Sequence, residues 1–225
     1  MLRTIRWLVG MVLCASVVVP GLAAEPCTQA APLFAAVTAN HPAEIRRLLD
    51  CGAPLEARNT AGQTPLLVAA HHNHVAAART LIEAGADVNA KDQIQDSPYL
   101  YAGARGHLDI LQMTLAHGAD VRSLNRYQGT ALIPAAERGH VEAVRLLIQA
   151  GVDVNHVNRL GWTALIEAVV LGQGGERHQQ VVQALVDAGA DVNLPDAQGR
   201  TPLALAQAHG YPEIARILRR AGAHR

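Results

Sequence analysis

The chain has 225 residues, in which 19 basic side chains balance 19 acidic ones, and half of the residues are hydrophobic. This composition excludes an intrinsically disordered chain, and the lack of a basic excess argues against nucleic acid as a partner. Aromatic side chains are scarce, with two Trp, four Tyr and one Phe, whereas alanine is abundant. Since ordinary globular cores are filled by large side chains, the composition favours thin layers built from small residues.

The first 24 residues have the pattern of a secretory signal peptide. Arg3 and Arg6 form a positively charged start, and residues 7–19 are uncharged. That uncharged run is shorter than the roughly 20 residues that span a membrane. A Pro-Gly step then breaks the run, and small residues at 22–24 offer a cleavage site. We therefore expect export to a bacterial periplasm, or secretion, with no membrane attachment after cleavage. A retained membrane anchor is the alternative.

The rest of the chain repeats with a period of 33 residues. The tripeptide Thr64-Pro65-Leu66 has counterparts at 31–33, 97–99, 130–132, 163–165 and, after a longer step, 201–203. Residues 83–89 read Glu-Ala-Gly-Ala-Asp-Val-Asn, and residues 187–193 read Asp-Ala-Gly-Ala-Asp-Val-Asn. Six copies in one register indicate an array of units that must stack on one another to bury their apolar sides.

These residues closely resemble the ankyrin repeat, whose landmarks are Thr-Pro-Leu, Gly-His and Gly-Ala-Asp-Val-Asn. The resemblance covers residues 28–225, with repeats near 28–58, 59–91, 92–124, 125–157, 158–195 and 196–225. It implies an all-α solenoid of paired antiparallel helices with extended finger loops. It also implies a module that binds other proteins and uses no cofactor.

Local physical chemistry agrees with that interpretation. Thr64 can cap a helix that has Pro65 at its first position, where the missing N–H costs nothing. A second helix is expected over 141–148, with Gly151 ending it. Repeat five carries five extra residues near 172–178, where three glycines predict a flexible loop between the two helices. That insertion is either tolerated length drift or a contact loop for a partner.

Loss of residues 1–24 would leave 17 basic against 19 acidic residues, and two cysteines, Cys27 and Cys51. Cys27 precedes the first helix of repeat one and Cys51 closes its second helix, so antiparallel helices would bring both to one end of the repeat. An exported chain meets oxidising conditions. We therefore predict a disulfide bond between them; two unpaired thiols are the alternative.

No known catalytic pattern occurs in the sequence. It contains no nucleophile elbow, phosphate-binding loop or zinc-protease signature, so we expect no enzymatic activity. The histidines suggest a metal site, but His74, His107 and His140 recur at the repeat period, which indicates a structural role at the start of each second helix. His71 and His72 lie at an exposed helix end and leave a surface zinc or copper site open as an alternative.

The finger tips and inner helix ends are the surfaces with which ankyrin proteins typically bind partners. Here these positions carry seven basic residues against two acidic ones, Asp96 and Glu137, together with aromatic side chains. Arginine and aromatic residues are typical binding anchors. We therefore predict a concave face that binds an acidic protein surface, with a solvated rim of locally paired charges as the alternative. The predicted contact residues are Arg58, His71, His72, Lys91, Ile94, Arg105, Arg126, Tyr127, Arg138, Arg159, Leu160, Trp162 and Arg200.

The expected function is thus a monomeric, non-enzymatic protein-binding scaffold outside the cytoplasm. The resemblance extends to exported bacterial ankyrin proteins that accompany periplasmic catalases, which would place the chain in oxidative-stress defence. It also extends to proteins that look like inhibitors of toxic effectors, so an immunity-type inhibitor is an alternative. A metal-binding protein that uses His71 and His72 is the other alternative.

Overall fold

The computed structural model describes residues 28–224, and over that range the chain forms twelve α-helices and no strand. The predicted signal peptide and Cys27 lie outside the described residues. The helices are α1 (Ala30–Thr38), α2 (Pro42–Asp50), α3 (Pro65–His71), α4 (Val75–Glu83), α5 (Pro98–Arg105), α6 (Leu108–Ala116), α7 (Leu132–Glu137), α8 (Val141–Gln149), α9 (Ala164–Val170), α10 (Glu176–Asp187), α11 (Pro202–Ala208) and α12 (Pro212–Arg220). Within residues 28–224, no helix is both long enough and apolar enough to cross a membrane.

The helices pair within each repeat and stack between repeats, which confirms the predicted solenoid. Each first helix packs against the second helix of its own repeat and against the first helices of its neighbours. The same position of successive first helices holds a buried alanine, so adjacent helices can approach closely. These alanines are Ala36, Ala69, Ala102, Ala135, Ala168 and Ala206. The abundance of alanine in the composition is therefore a consequence of the stacking.

The predicted helix caps are present in four repeats. The Thr64 hydroxyl oxygen accepts a hydrogen bond from the Leu67 N–H at 3.2 Å, and Ser97, Thr163 and Thr201 cap their helices in the same way. A side-chain oxygen at this place satisfies one of the N–H groups that a helix start leaves without an intrahelical partner.

Repeat four departs from this arrangement because of Pro134. In the four capped repeats, the residue that corresponds to Pro134 donates its N–H to the carbonyl of the capping residue. An example is the bond from Glu167 to Thr163, at 3.0 Å. Proline has no N–H. Helix α7 accordingly begins only at Leu132, and the buried Thr130 hydroxyl has no hydrogen-bond partner.

Histidines at the start of the second helices connect successive repeats. The Nδ1 atom of His74 donates to the Val37 carbonyl, and that of His107 donates to the Ala70 carbonyl, each at 3.1 Å. These bonds confirm the structural role predicted for His74 and His107. His178 is the counterpart in repeat five, where Nε2 bonds the Glu137 carbonyl at 2.9 Å.

The insertion in repeat five is only partly a loop. Residues 176–178 were expected in the loop but form the first turn of α10, which has 12 residues where the other second helices have nine. The remaining residues are packed rather than free. The Tyr211 hydroxyl donates to the Gly172 carbonyl at 3.0 Å, and a Cβ on Gly172 would lie 2.1 Å from the Ala168 carbonyl oxygen. Gly172 and Gly174 permit this close packing, and the loop between α9 and α10 is confined to residues 171–175.

Candidate functional site

The finger tips of repeats two to six are tight turns, each held by one side chain. Asn125 is an example, since its Oδ1 accepts hydrogen bonds from the N–H groups of Tyr127 at 2.8 Å and Gly129 at 3.0 Å. An Asn or Asp residue holds the turn in the same way at 59, 92, 158 and 196. Asn and Asp favour such turns because their side chains bond to backbone two residues onward. The turns fix the direction in which the finger-tip side chains point.

Three exposed apolar side chains occupy the same finger-tip position in repeats three, four and five. They are Ile94, Tyr127 and Leu160, with 50%, 44% and 50% of their surfaces exposed. The Arg159 N–H donates to the Tyr127 carbonyl at 2.9 Å, which joins fingers four and five. We call these three side chains the finger ridge. Large apolar residues in one exposed row are a recognised feature of protein-binding surfaces.

Two arginines flank the tyrosine of the ridge. The guanidinium carbons of Arg126 and Arg159 lie 5.1 and 5.8 Å from the centroid of the Tyr127 ring. Cations at such distances are attracted to the face of an aromatic ring. Arg126 also lies 3.5 Å from the carboxylate of Asp96, a half-buried group whose pKa is raised by burial and lowered in part by this arginine. Three predicted contact residues, Arg126, Tyr127 and Arg159, are thus gathered around fingers four and five, with Leu160 beside them.

A small cavity of about 140 Å³ lies between fingers three and four and the first helices α5 and α7. Arg105 and Arg138 reach it from the helix side. The Arg105 Nε donates to the Tyr101 hydroxyl at 3.2 Å, and the Arg138 Nη1 donates to the Ala104 carbonyl at 3.1 Å. We call this cavity the notch; its lining is Asp96, Tyr101, Ala104, Arg105, Asn125, Arg126, Tyr127, Pro134 and Arg138.

His71 extends the aromatic surface towards repeat two. Its ring stacks on Tyr101 with centroids 3.9 Å apart and planes 22° from parallel. Its Nε2 atom is buried without a hydrogen-bond partner, and burial lowers the pKa of the ring. His71 therefore serves as a neutral aromatic neighbour of the notch. His72 does not join it, because that ring is exposed and stacks on His74.

Three of the predicted cations are engaged with their own chain. Arg58 donates to the Lys91 carbonyl at 2.6 Å, and Lys91 donates to the Leu124 carbonyl at 2.8 Å, so both connect one finger to the next. Arg200 pairs with the buried carboxylate of Asp196 at 2.6 Å. Trp162 is half-buried and packs on the core. Arg126 and Arg138 at the notch are also paired within the chain, with Asp96 and with Glu137 at 3.7 Å, so the alternative of locally paired charges holds for part of this face.

Sequence reasoning did not select two residues that matter here. Tyr101 lies four residues before Arg105 on one helix, a spacing that brings side chains together, and this was the available signal. Glu167 is buried, and its Oε1 accepts from the Asn158 Nδ2 at 2.8 Å. Burial raises the pKa of Glu167 to about 7, and the nearby Glu137 carboxylate acts in the same direction.

The comparisons with known proteins agree with this geometry. The family model described as ankyrin repeats, in three copies, matches residues 4–92 and 99–196. The chain belongs to the ankyrin repeat family. The comparison with curated proteins finds no significant match. Ankyrin repeats indicate a scaffold for protein–protein interaction, and ankyrin repeat domains are generally non-enzymatic.

Several solved ankyrin structures are similar to this ankyrin chain. An ankyrin repeat domain from Acinetobacter baumannii AYE is 58% identical, with a TM-score of 0.83, and the match covers 86% of this chain and 98% of that domain. The ankyrin repeat protein EF0377 is 42% identical, with a TM-score of 0.81 and coverage of 84% and 97%. The ankyrin repeat domain of Bcl-3, a member of the IkappaB family, is 29% identical, with a TM-score of 0.77 and coverage of 86% of both chains.

The metal alternative gains no support from the arrangement of side chains. Among residues 28–224, no group of three or more His, Cys, Asp or Glu residues is placed to hold a metal ion. His71 and His72 stack on different partners, Tyr101 and His74. A protein zinc site ordinarily needs three or four ligands.

Proposed function

We propose that this protein is a monomeric, non-enzymatic scaffold that binds an acidic protein surface outside the cytoplasm. The observation that carries the proposal is the grouping of Arg105, Arg126 and Arg138 around one cavity beside an exposed apolar row. Arginine and aromatic side chains are the residues that most often dominate binding energy at protein interfaces. A positive patch also steers an acidic partner into encounter.

The periplasm is the location that we propose. The support is the signal-peptide pattern in residues 1–24 and the similarity to a domain from a bacterium. A role beside a periplasmic catalase in oxidative-stress defence is the pathway we favour, and it rests on the family resemblance. The Cys27–Cys51 disulfide belongs to this proposal, because it would form in an oxidising compartment.

Site-specific photo-crosslinking in the native periplasm tests the proposed surface. A photo-crosslinking amino acid in place of Leu160 or Tyr127 should capture one protein, identified by mass spectrometry. The same group in place of Arg79, on the second helix α4, should not capture that protein. Capture at Leu160 should be lost when Arg126→Glu and Arg159→Glu are combined. Equal capture at all three positions, or capture that survives the charge reversal, would refute the proposed surface.

Export and the disulfide are tested separately by cell fractionation and reduction. We expect the mature chain in the periplasmic fraction, with a mobility on non-reducing gels that changes on reduction. The Cys51→Ser variant should lack this change. A protein that remains in the cytoplasm with its leader uncleaved would contradict the proposed location, whatever it binds.

A further inference from the structure

Repeat four differs from its neighbours at two aligned positions that face the same space. At the end of the finger turn, repeats two to six carry Gln63, Asp96, Gly129, Trp162 and Arg200. In the middle of the first helix, the same repeats carry Val68, Tyr101, Pro134, Glu167 and Leu205. Repeat four therefore has the smallest side chain at the first position and a short ring at the second. Pro134 lines the notch together with Asp96 and Tyr101, which are the residues of repeat three at the same two positions.

Gly129 is not required by the backbone. It has no positive φ, and a Cβ built on it would lie 3.5 Å from the nearest atoms, which belong to Asn125 and Ile133. That distance is ordinary van der Waals contact, so a Cβ atom fits at this position without strain. Asn125 lines the notch. A side chain at position 129 would therefore occupy space at the edge of the notch.

The notch is too small for an ordinary small-molecule ligand but has room for a side chain. Ligand pockets measure roughly 300–1,000 Å³, and the notch measures about 140 Å³. It is lined by three guanidinium groups and the carboxylate of Asp96, and the Glu137 carboxylate lies 3.7 Å from Arg138, which leaves an excess of one positive charge. An occupant with a single negative charge suits this lining, since a group of higher charge would meet the Asp96 carboxylate.

The guanidinium groups are positioned by bonds that use only part of their donor capacity. Arg105 is directed by its bond to Tyr101, and Arg138 by bonds to the Ala104 and Pro134 carbonyls. Arg126 is directed by Asp96 and by the Tyr127 ring. Each guanidinium carries five N–H donors in a fixed plane, so donors remain for an incoming carboxylate. Arginine recognises carboxylates especially well because two parallel bonds can form.

We infer that the notch accepts one Asp or Glu side chain of the partner, while an apolar side chain next to it in the partner packs on the finger ridge. The inference rests on the proposed function and names its specificity. Arg105, Arg126 and Arg138 bind the carboxylate, and Gly129 and Pro134 provide the space. Tyr127 belongs to both the notch and the ridge, so the carboxylate and the apolar side chain must be close neighbours in the partner.

Selection from a random twelve-residue peptide library displayed on phage tests this inference with defined probes. The purified protein should enrich peptides that share one Asp or Glu beside an aliphatic or aromatic residue. The strongest peptide is then synthesised with its acidic residue intact and with the matching amide. Binding should weaken at least tenfold on the change to the amide, which corresponds to about 1.4 kcal/mol.

Variants of the protein separate filling of the notch from loss of charge. Gly129→Gln installs the residue of repeat two, and Pro134→Tyr installs that of repeat three; each should weaken the peptide at least tenfold with all arginines retained. Arg126→Gln and Arg138→Gln should do the same. Arg79→Gln on α4 should leave binding within twofold. Circular dichroism establishes which variants are folded. The two filling substitutions lie in different elements, the finger and α7, so the inference can still be tested if one of the two variants does not fold.

Three results would overturn the inference. They are the absence of any enriched peptide, enriched peptides without a shared acidic residue, and unchanged binding in both folded filling variants. Any of these can occur while the photo-crosslinking at Leu160 still captures an arginine-dependent partner, which would leave the proposed function standing. Loss of that capture together with loss of selective peptides would remove both.

Discussion

The Asn158 Nδ2 atom donates a 2.8 Å hydrogen bond to the Glu167 Oε1 atom and so ties the finger turn of repeat five to its first helix. Asn158 holds that turn through bonds from the Leu160 and Trp162 N–H groups. The finger ridge therefore depends at this repeat on a buried carboxyl group. Burial raises the pKa of Glu167 from 4.5 to about 7.

This carboxyl group should make stability fall as pH rises. Its pKa in the folded state is about 7 and in the unfolded state about 4.5, so between these values the unfolded chain loses the proton first. Stability from the protonated form is fully present below pH 4.5 and is lost by pH 7, an effect of about 3 kcal/mol at most. Glu167→Gln should remove this dependence and be the more stable protein at pH 8.

Urea unfolding at pH 5 and pH 8 measures the effect. The difference between wild type and Glu167→Gln should be small at pH 5 and large at pH 8. Glu142→Gln, which changes an exposed carboxyl group on α8, is the matched control and should show no such change. Parallel behaviour of the two variants would contradict the assignment to Glu167.

The caps of repeats four and five provide a second matched pair. Thr163 accepts a hydrogen bond from the Ile166 N–H at 3.2 Å, whereas the buried Thr130 hydroxyl has no partner. Thr163→Val should cost about 1 kcal/mol because the cap is lost. Thr130→Val should be neutral or stabilising, since it removes a polar group that is buried without a bond. Thermal unfolding measures both; equal losses would mean that the two hydroxyls have the same role.

The histidines that connect repeats should be needed for stability. His107→Ala leaves the Ala70 carbonyl without the bond that it now accepts, which should cost about 1–3 kcal/mol at pH 7.5. Burial lowers the pKa of His107 in the folded state, so the stability from its neutral form is lost as pH falls below about 6.5. The penalty of the variant should therefore shrink at pH 5. Denaturant unfolding at the two pH values measures this loss of stability. A loss that is larger at pH 5 than at pH 7.5 would contradict the prediction.

The packed insertion predicts a sharp difference between two neighbouring glycines. A Cβ on Gly172 would lie 2.1 Å from the Ala168 carbonyl oxygen and 2.5 Å from the His178 ring, whereas a Cβ on Gly175 meets nothing within 4 Å. Gly172→Ala should destabilise the protein by about 2 kcal/mol or more, because backbone must move. Gly175→Ala should stay within about 1 kcal/mol of wild type. Equal changes in the free energy of unfolding for the two variants would mean that the insertion adjusts its backbone readily, as a flexible loop does.

The repeated framework was predicted well from the sequence, because residues close together in each repeat determine where its helices begin. Thr64 caps its helix and Pro65 begins it, as expected from their conformational preferences. The late start of α7 was missed, although it follows from the missing N–H of Pro134. The missing bond, from residue 134 to the Thr130 carbonyl, is recognised only when repeat four is compared with the other repeats.

The candidate site was less predictable, since a position on a surface does not reveal what a side chain contacts. Arg58 and Arg126 were both predicted as finger contacts, yet Arg58 bonds to the Lys91 carbonyl and Arg126 lies beside the notch. Tyr101 was missed because only its spacing of four residues from Arg105 indicates that the two side chains meet. The notch itself results from small residues, and a search for chemically reactive side chains does not detect them.

A cavity that exists because a residue is small can be filled by a larger residue at that position without a change of fold. The capping residues, the alanines at the helix contacts and the histidine bonds all lie away from position 129, so a single substitution there alters the available shape while the stack persists. The opposite change in another repeat would open a new cavity there. In such an array, substitutions can therefore change which partner is bound more readily than they change stability. Any one of the repeats can provide the position at which a small residue leaves a cavity.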